Sequence, residues 1–335
     1  MDISVCVVTY NAAEIIRDCL KSIIDQAPHG GKTEILVVDG CSTDDTQKIV
    51  RSFAGSVCLV ENPKRTIASN RNAAIREAIH PYIAFTDSDC TVPHNWLRIL
   101  SESFEAIKKN DTCLAGVGGG NRTPFGKSPF QTALGIALNS FLGSLGSVQG
   151  RIFEKQRQVA SIACLNALYS RTTLESVGGY DEQLGNMCED ADINYRLNKK
   201  GHTLYFVPGV PVEHYARQTL LSWCTNMYNY GIGRARIMRK YRTLFSPAYM
   251  IAFLFLPGLF VVSLLGIIWP RAFLVWLYIP LIMLIGFSLA LNKHPALGLR
   301  VGLILLGTHI FYAAGLLRGF IVGYSDNSKT GKAKS

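Results

Sequence analysis

Residues 248–322 are almost unbroken hydrocarbon, and no other feature of the chain limits its possible folds so strongly. A helix needs about 20 apolar residues to cross a bilayer. Three stretches meet that length: 248–269, 272–291 and 297–322, the last with Arg300 and Arg318 near its ends. Mean hydropathy over the chain is +0.19 and 17% of residues are charged, but the apolar excess is not spread evenly. Residues 1–245 have the mixed composition of an α/β globular domain. A buried hairpin of a soluble core fits poorly, because three such runs in succession leave no polar face to meet water. The expected organisation is a globular domain over 1–245, transmembrane helices over 246–323 and a polar tail at 324–335.

The formal net charge is +10, and Arg234, Arg236, Arg239, Lys240 and Arg242 stand just before the first apolar run. Basic residues beside a span favour the cytoplasmic side and attract anionic head groups. The expected partner of this charge is membrane lipid, not nucleic acid, and the location a multi-pass cell-membrane protein with its globular domain in the cytoplasm. The same rule creates a conflict. Three full crossings would carry Lys329, Lys332 and Lys334 to the far side, and a re-entrant or interfacial segment would remove that conflict. Nine scattered cysteines without a C-x-x-C pair argue against a zinc site or disulfide framework and suit a reducing cytosol. Met1-Asp2-Ile3 leads straight into a strand pattern, with no basic signal-peptide segment.

Ahead of the apolar block the pattern alternates. Residues 3–9 read as a buried strand. Residues 12–26 put Ile15, Ile16, Cys19, Leu20, Ile23 and Ile24 on one helical face. Strands follow at 34–39, 57–60 and 82–86, with helices at 43–53 and 66–79. Ser42-Thr43-Asp44-Asp45 resembles a capping box, with Asp45 in place of the usual Glu. This alternation predicts a mostly parallel sheet with right-handed crossovers. Such sheets bind ligands at the carboxyl ends of their strands, where Thr9, Asp39 and Asp87 all stand. Residues 116–120 (Gly-Val-Gly-Gly-Gly) with 121–124 read as flexible, and 133–150 as an interfacial or acceptor-side element.

Asp87-Ser88-Asp89 closes the strand at 82–86. Side chains alternate along a strand, so the two carboxylates project together. Hard cations such as Mg²⁺ and Mn²⁺ take oxygen ligands of this kind. Alone the triplet is a weak signal, since a solvated turn reads the same way. After the turn Gly178-Gly179-Tyr180-Asp181-Glu182, the acids Glu189, Asp190 and Asp192 open a helix whose dipole favours them there. Taken alone, they only cap and solvate that helix.

In their order, these segments resemble the family-2 inverting glycosyltransferases, whose nucleotide-sugar-binding α/β domain is called GT-A. The likeness covers about residues 3–236. It rests on Val7-Val8-Thr9-Tyr10-Asn11, Val37-Val38-Asp39-Gly40-Cys41-Ser42-Thr43-Asp44, Arg71-Asn72-Ala73-Ala74, Thr86-Asp87-Ser88-Asp89, the 178–182 turn and the 189–192 acids. The apolar helices place the resemblance in the membrane-anchored branch that builds exopolysaccharides or lipid-linked glycans of the cell envelope. It implies a nucleotide-binding half at about 1–115 and an acceptor half at about 116–245.

The resemblance further implies that Thr9 and Tyr10 border the nucleotide, that Asp39 reads the base, and that Arg71 lies nearby. A carboxylate accepts the imide N–H of uracil, so the implied donor is a UDP-sugar. Asp87 would approach ribose and metal, and Asp89 would bind Mn²⁺ or Mg²⁺ with His214 as a further ligand. Asp190 would be the general base for an acceptor hydroxyl, with Glu189 orienting it. Arg217-Gln218 through Trp223 and residues 230–234 resemble a segment that closes over the diphosphate, although Arg234 equally fits the lipid-facing cluster. The Gln-x-x-Arg-Trp pattern of processive synthases is absent as such, which favours transfer of one sugar, with a lipid-linked saccharide as acceptor. Two alternatives stay open: a polyprenyl-phosphate sugar synthase, whose acceptor needs no base, and a catalytically silent membrane scaffold.

Overall fold

The computed structural model describes residues 1–123, 128–144, 153–184, 186–215, 219–242 and 247–322. They form two compact units: Met1–Thr123 with Ser147–Ala216, and Pro124–Gly146 with Arg217–Ser335.

In the first unit β1 (Ile3–Thr9), α1 (Ile16–Ile24), β2 (Thr33–Asp39), α2 (Thr46–Arg51), β3 (Cys58–Glu61), α3 (Ile67–Glu77) and β4 (Tyr82–Asp87) alternate as expected. The strands lie side by side in the order β3-β2-β1-β4, all parallel. Every residue of β1 is buried, because a parallel strand is covered on both faces. Its register sets Thr9 opposite Asp39 and Val8 opposite Asp87. Three chain-distant positions therefore reach one edge.

After β5 (Cys90–Thr91), α4 (Trp96–Lys108), β6 (Leu114–Gly118) and β7 (Asn121–Arg122), the chain leaves for the second unit and returns with β8 (Arg157–Val159). β9 (Ala167–Ser170) runs antiparallel between β4 and β6. Then come α7 (Arg171–Ser176), α8 (Glu189–Lys199), β10 (Thr203–Phe206) and β11 (Val212–His214). β10 and β8 complete the eight-stranded sheet, and β5, β11 and β7 form a separate small one.

Two local expectations fail. The glycine-rich run is not flexible: Gly116 and Gly118 lie inside the buried strand β6. A Cβ at Gly116 would come within 2.6 Å of Tyr169, and one at Gly118 within 2.7 Å of the Asn166 carbonyl. The glycines are there for close packing. The capping box at Ser42 also does not form, and α2 starts at Thr46 without a side-chain cap. The Ser42 hydroxyl donates to Asp39 instead. A true box does form at α3, where Thr66 and Ser69 exchange hydrogen bonds.

The second unit holds α5 (Pro129–Leu138), α6 (Phe141–Ser144), α9 (Leu220–Lys240), α10 (Pro247–Ile268), α11 (Tyr278–Leu291) and α12 (Gly298–Ile321). The interfacial element expected at 133–150 thus belongs with the apolar helices as far as residue 144, beyond which it lies outside the described residues. Among the described residues, three segments are long and apolar enough to cross a membrane: Tyr249–Ile268, Pro270–Leu291 and Pro295–Ile321. The second is not one α-helix, because Pro270–Leu277 winds as a 3₁₀ helix. Pro280 has no N–H to return to the Trp276 carbonyl, and the Tyr278 N–H closes the tighter turn to the Trp276 and Val275 carbonyls. Half of the third segment is buried. Its Val301, Ile304 and Leu305 share a core with Trp223 and Met227 of α9, Ala133 and Leu134 of α5, and Ile282 of α11.

Candidate active site

The loops after β1 and β2 are knitted together at the sheet edge. Asn11 adopts a left-handed conformation (φ 48°). Its N–H donates to Ser42 Oγ at 2.8 Å, and its Oδ1 accepts from the Thr43 N–H at 2.8 Å. Asp39 is fully buried. Its carboxylate accepts the Ser42 N–H at 2.8 Å, the Ser42 hydroxyl at 2.5 Å and Gln47 Nε2 at 2.7 Å. In this structure Asp39 holds the loop, and a base contact would require it to open. Tyr10 beside it is 47% exposed, so it is open to a ligand. The Thr9 hydroxyl is buried and has no partner among the described residues.

Arg71 organises the middle of the site. It is 3% exposed, so it points into the protein and not from a solvated helix face. Its guanidinium donates to Glu189 at 2.5 Å and to Asp87 at 3.0 Å, joining α3, β4 and α8. It also sits over the Tyr180 ring at 5.6 Å. Burial alone would lower its pKa, but the Asp87 and Glu189 carboxylates beside it more than offset that and push it up. Burial pushes the Glu189 carboxyl up to about 7, with Arg71 pulling down and Asp190 pushing up. Asp87 is also raised by burial; Arg71 opposes the shift and the nearby Asp89 adds to it. Arg71 therefore stands behind the carboxylates as their shared counter-ion.

α8 begins at Glu189 from a left-handed Cys188 (φ 58°). That sharp entry sends Glu189 inward to Arg71 and leaves Asp190 partly exposed, with its Oδ1 accepting the Ala191 N–H at 2.7 Å. Asp192 is buried in an ion pair with Arg196 and is structural. Further along, Asn194 accepts from Tyr169 at 2.8 Å.

The small sheet assembles a second cluster. Pairing of β5 with β11 sets His214 opposite Cys90 and brings His214 Nε2 to 3.2 Å from Asp89 Oδ2. Asp89, Cys90 and His214 could together offer metal-ligand atoms. Asp89 and His214 keep 34% and 25% of their side chains exposed. One carboxylate and one imidazole open to solvent fit a hard or borderline divalent ion whose remaining positions go to water or phosphate. Cys90 fits less well, since burial pushes its thiol well above the usual range. Asp87, expected as a metal ligand, faces Arg71 and is not in this cluster.

Sequence reasoning did not anticipate Asn72. It clasps the 178–182 turn, accepting the Tyr180 N–H at 2.7 Å and donating to the Tyr180 carbonyl at 2.9 Å and Glu182 at 3.1 Å. Asn186 Oδ1 caps the Ile67 N–H at 2.8 Å. The signal was present: a polar residue inside a helix, facing a double glycine. Gly179 has φ +67°, and a Cβ there would lie 2.6 Å from Asn72 Oδ1. Gly179→Ala should cost about 1–2 kcal/mol from the left-handed backbone alone, measured by urea unfolding, and should reduce transfer by loosening the loop before α8. An unchanged unfolding midpoint would mean that the clasp does not constrain the turn.

Arg234 lies in the second unit, over the Tyr249 ring at 4.8 Å. Arg217 and Gln218 lie outside the described residues.

Residues 4–178 match the glycosyl transferase family 2 domain, and residues 116–290 match the glycosyl transferase family group 2 domain. The chain therefore belongs to glycosyl transferase family 2 and is a transferase of GT-A fold. It is 28% identical over 293 residues to the succinoglycan biosynthesis protein ExoA of Rhizobium meliloti, covering 85% of this chain and 84% of that protein. It is 23% identical over 328 residues to a dolichyl N-acetyl-alpha-D-glucosaminyl phosphate 3-beta-D-2,3-diacetamido-2,3-dideoxy-beta-D-glucuronosyltransferase of Methanococcus voltae, covering 96% and 98%. Among solved structures, the mannosyltransferase PcManGT from Pyrobaculum calidifontis, in complex with GDP-Man and Mn²⁺, has a similar fold. Its TM-score is 0.61 at 20% identity, covering 96% of this chain and 87% of that one.

Proposed function

We propose that this family-2 enzyme is a membrane-anchored, metal-dependent, inverting glycosyltransferase. It moves a sugar from a UDP-sugar to a hydroxyl of a lipid-linked saccharide, with its catalytic unit on the cytoplasmic face. The observation that carries the reading is the carboxylate pair that opens α8: Glu189 buried against Arg71, Asp190 beside it and partly exposed. A phosphate acceptor is already an anion and needs no base; a hydroxyl acceptor does.

The acceptor hydroxyl gives its proton to the Asp190 carboxylate, and its oxygen bonds to the anomeric carbon on the face opposite the diphosphate. The bond from that carbon to the diphosphate breaks, and its electron pair stays on the departing phosphate oxygen. Bond making and breaking on opposite faces inverts the anomeric centre. Glu189, fixed by Arg71, orients the turn that carries Asp190. Thr9, Tyr10 and Asp39 border the nucleotide, and Asp87 borders the ribose. A divalent ion held by Asp89 and His214 would neutralise charge on the leaving diphosphate. Arg234, stacked on Tyr249, is assigned to the lipid-facing cluster. The GDP-Man and Mn²⁺ bound by PcManGT support a nucleotide-diphosphate donor and a divalent ion. The dolichyl-linked acceptor in the name of the Methanococcus relative supports a lipid-linked one.

The test is a panel of UDP- and GDP-sugars with extracted lipid acceptors and detergent-purified protein. Transfer should require Mn²⁺ or Mg²⁺, and Asp89→Ala should abolish it with the thermal midpoint kept. Unchanged transfer in saturating EDTA would sink the metal role. Absence of transfer and of donor hydrolysis across the panel would favour the scaffold alternative.

A further inference from the structure

We infer that the apolar region crosses the bilayer an even number of times. The C-terminal end of α12 then returns to the leaflet of Arg239, Lys240 and Arg242, and Arg318 joins them in one rim for anionic head groups. This rests on the reading of the apolar helices as membrane-inserted.

The first observation is how α9 and α12 pack. They run parallel, with α9 against the C-terminal half of α12 through small residues. A Cβ at Gly307 would meet Cys224 Sγ at 2.8 Å, one at Gly315 would collide with the Tyr228 carbonyl, and one at Gly319 would meet the Ala235 Cβ at 2.6 Å. Trp223 Nε1 donates to Thr308 Oγ1 at 2.9 Å. Rising positions on α9 meet rising positions on α12, so the two C-terminal ends lie at one level.

The second observation is where α10 begins. Its first turns pack at that same end: Tyr249, Ala252 and Phe253 surround Ala235, Met238 and Leu316. The Phe253 and Phe320 rings are 5.1 Å apart. A chain that crosses an odd number of times must leave its ends about 30 Å apart, the thickness of the hydrocarbon core. The start of α10 and the end of α12 touch, so the intervening crossings cancel.

Charge agrees. Arg239, Lys240, Arg242 and Arg318 are all exposed, and Lys240 lies over Tyr241 at 5.0 Å. Basic and aromatic residues gathered at one level mark a membrane interface. The sequence after α12 continues with Lys329, Lys332 and Lys334, which an even count leaves on the basic side. The conflict set by three full crossings disappears.

The test is labelling by a membrane-impermeant maleimide in intact cells and in inverted vesicles of an expressing bacterium. Arg242→Cys, made in a background with Cys41, Cys58 and Cys113 changed to Ser, reports the side on which the apolar region begins. Val322→Cys and, separately, Ser335→Cys are made in the same background, and retained transfer activity checks the fold. The thiols at positions 322 and 335 should label only in the preparation that labels the Arg242→Cys variant. Labelling of either from the opposite side, in protein that resists carbonate extraction, overturns the even count and leaves membrane insertion intact. Recovery of the wild-type protein in the carbonate-soluble fraction overturns the insertion itself and the inference with it.

Discussion

Asp190→Asn is expected to lower sugar transfer by roughly two to four orders of magnitude, the usual contribution of a general base. The amide keeps the size of the side chain and can still accept the Ala191 N–H that Asp190 holds at 2.7 Å. What it loses is the capacity to take a proton. Donor affinity should change little, because the residues proposed to border the nucleotide lie at the ends of β1, β2 and β4 while Asp190 lies on α8. A carboxylate that only caps the helix would behave differently, with a stability loss of about 1 kcal/mol and near-normal turnover. Thermal midpoint, donor affinity and turnover on this one variant separate the two. Near-normal turnover would remove Asp190 from the mechanism and revive the phosphate-acceptor alternative.

Arg71→Met is expected to destabilise the protein by about 3–5 kcal/mol, the usual cost of removing one partner from a buried ion pair. The reason is geometric. Arg71 and Glu189 are 3% and 9% exposed at 2.5 Å, and Asp87 is 3.0 Å away on the other side of the same guanidinium. Without the cation, two neighbouring carboxylates are left in a poorly solvated place. Arg71→Lys keeps the charge but lacks the planar fork that reaches both partners. It should retain more stability than Met while still lowering turnover. Adding Glu189→Gln to Arg71→Met removes one stranded charge and should recover part of the lost stability. Urea unfolding of the wild type and the single and double variants gives the coupling directly. A midpoint unmoved by Arg71→Met would show that the clamp carries no stability, and the positioning role of Glu189 would lose its basis.

Much of the frame was legible in order along the chain. β1 occupies the predicted residues 3–9, and α8 opens at Glu189 as expected. The three apolar segments fall where hydropathy puts them, to within a few residues. These features are local: a strand or helix writes its period into consecutive residues, and a span is a matter of length and composition. The strand ends bearing Thr9, Asp39 and Asp87 were legible for the same reason, because alternation implied a parallel sheet and a parallel sheet aligns its carboxyl ends.

What lay beyond the sequence was decided by contacts between distant residues. Arg71 meets Glu189 across 118 positions and Asp89 meets His214 across 125. Neither pairing has a period, and both depend on strand order and on where each connection returns. The glycines of β6 looked like a flexible run because composition cannot tell open space from close packing, and Tyr169 and Asn166 fill the space a side chain would need. The start of α10 and the end of α12 lie about 70 residues apart in sequence, yet their rings touch. Composition alone determined that this chain has a membrane-compatible region. Which ends of it meet was settled by small residues that let helix backbones approach, a property of facing surfaces and not of any single segment.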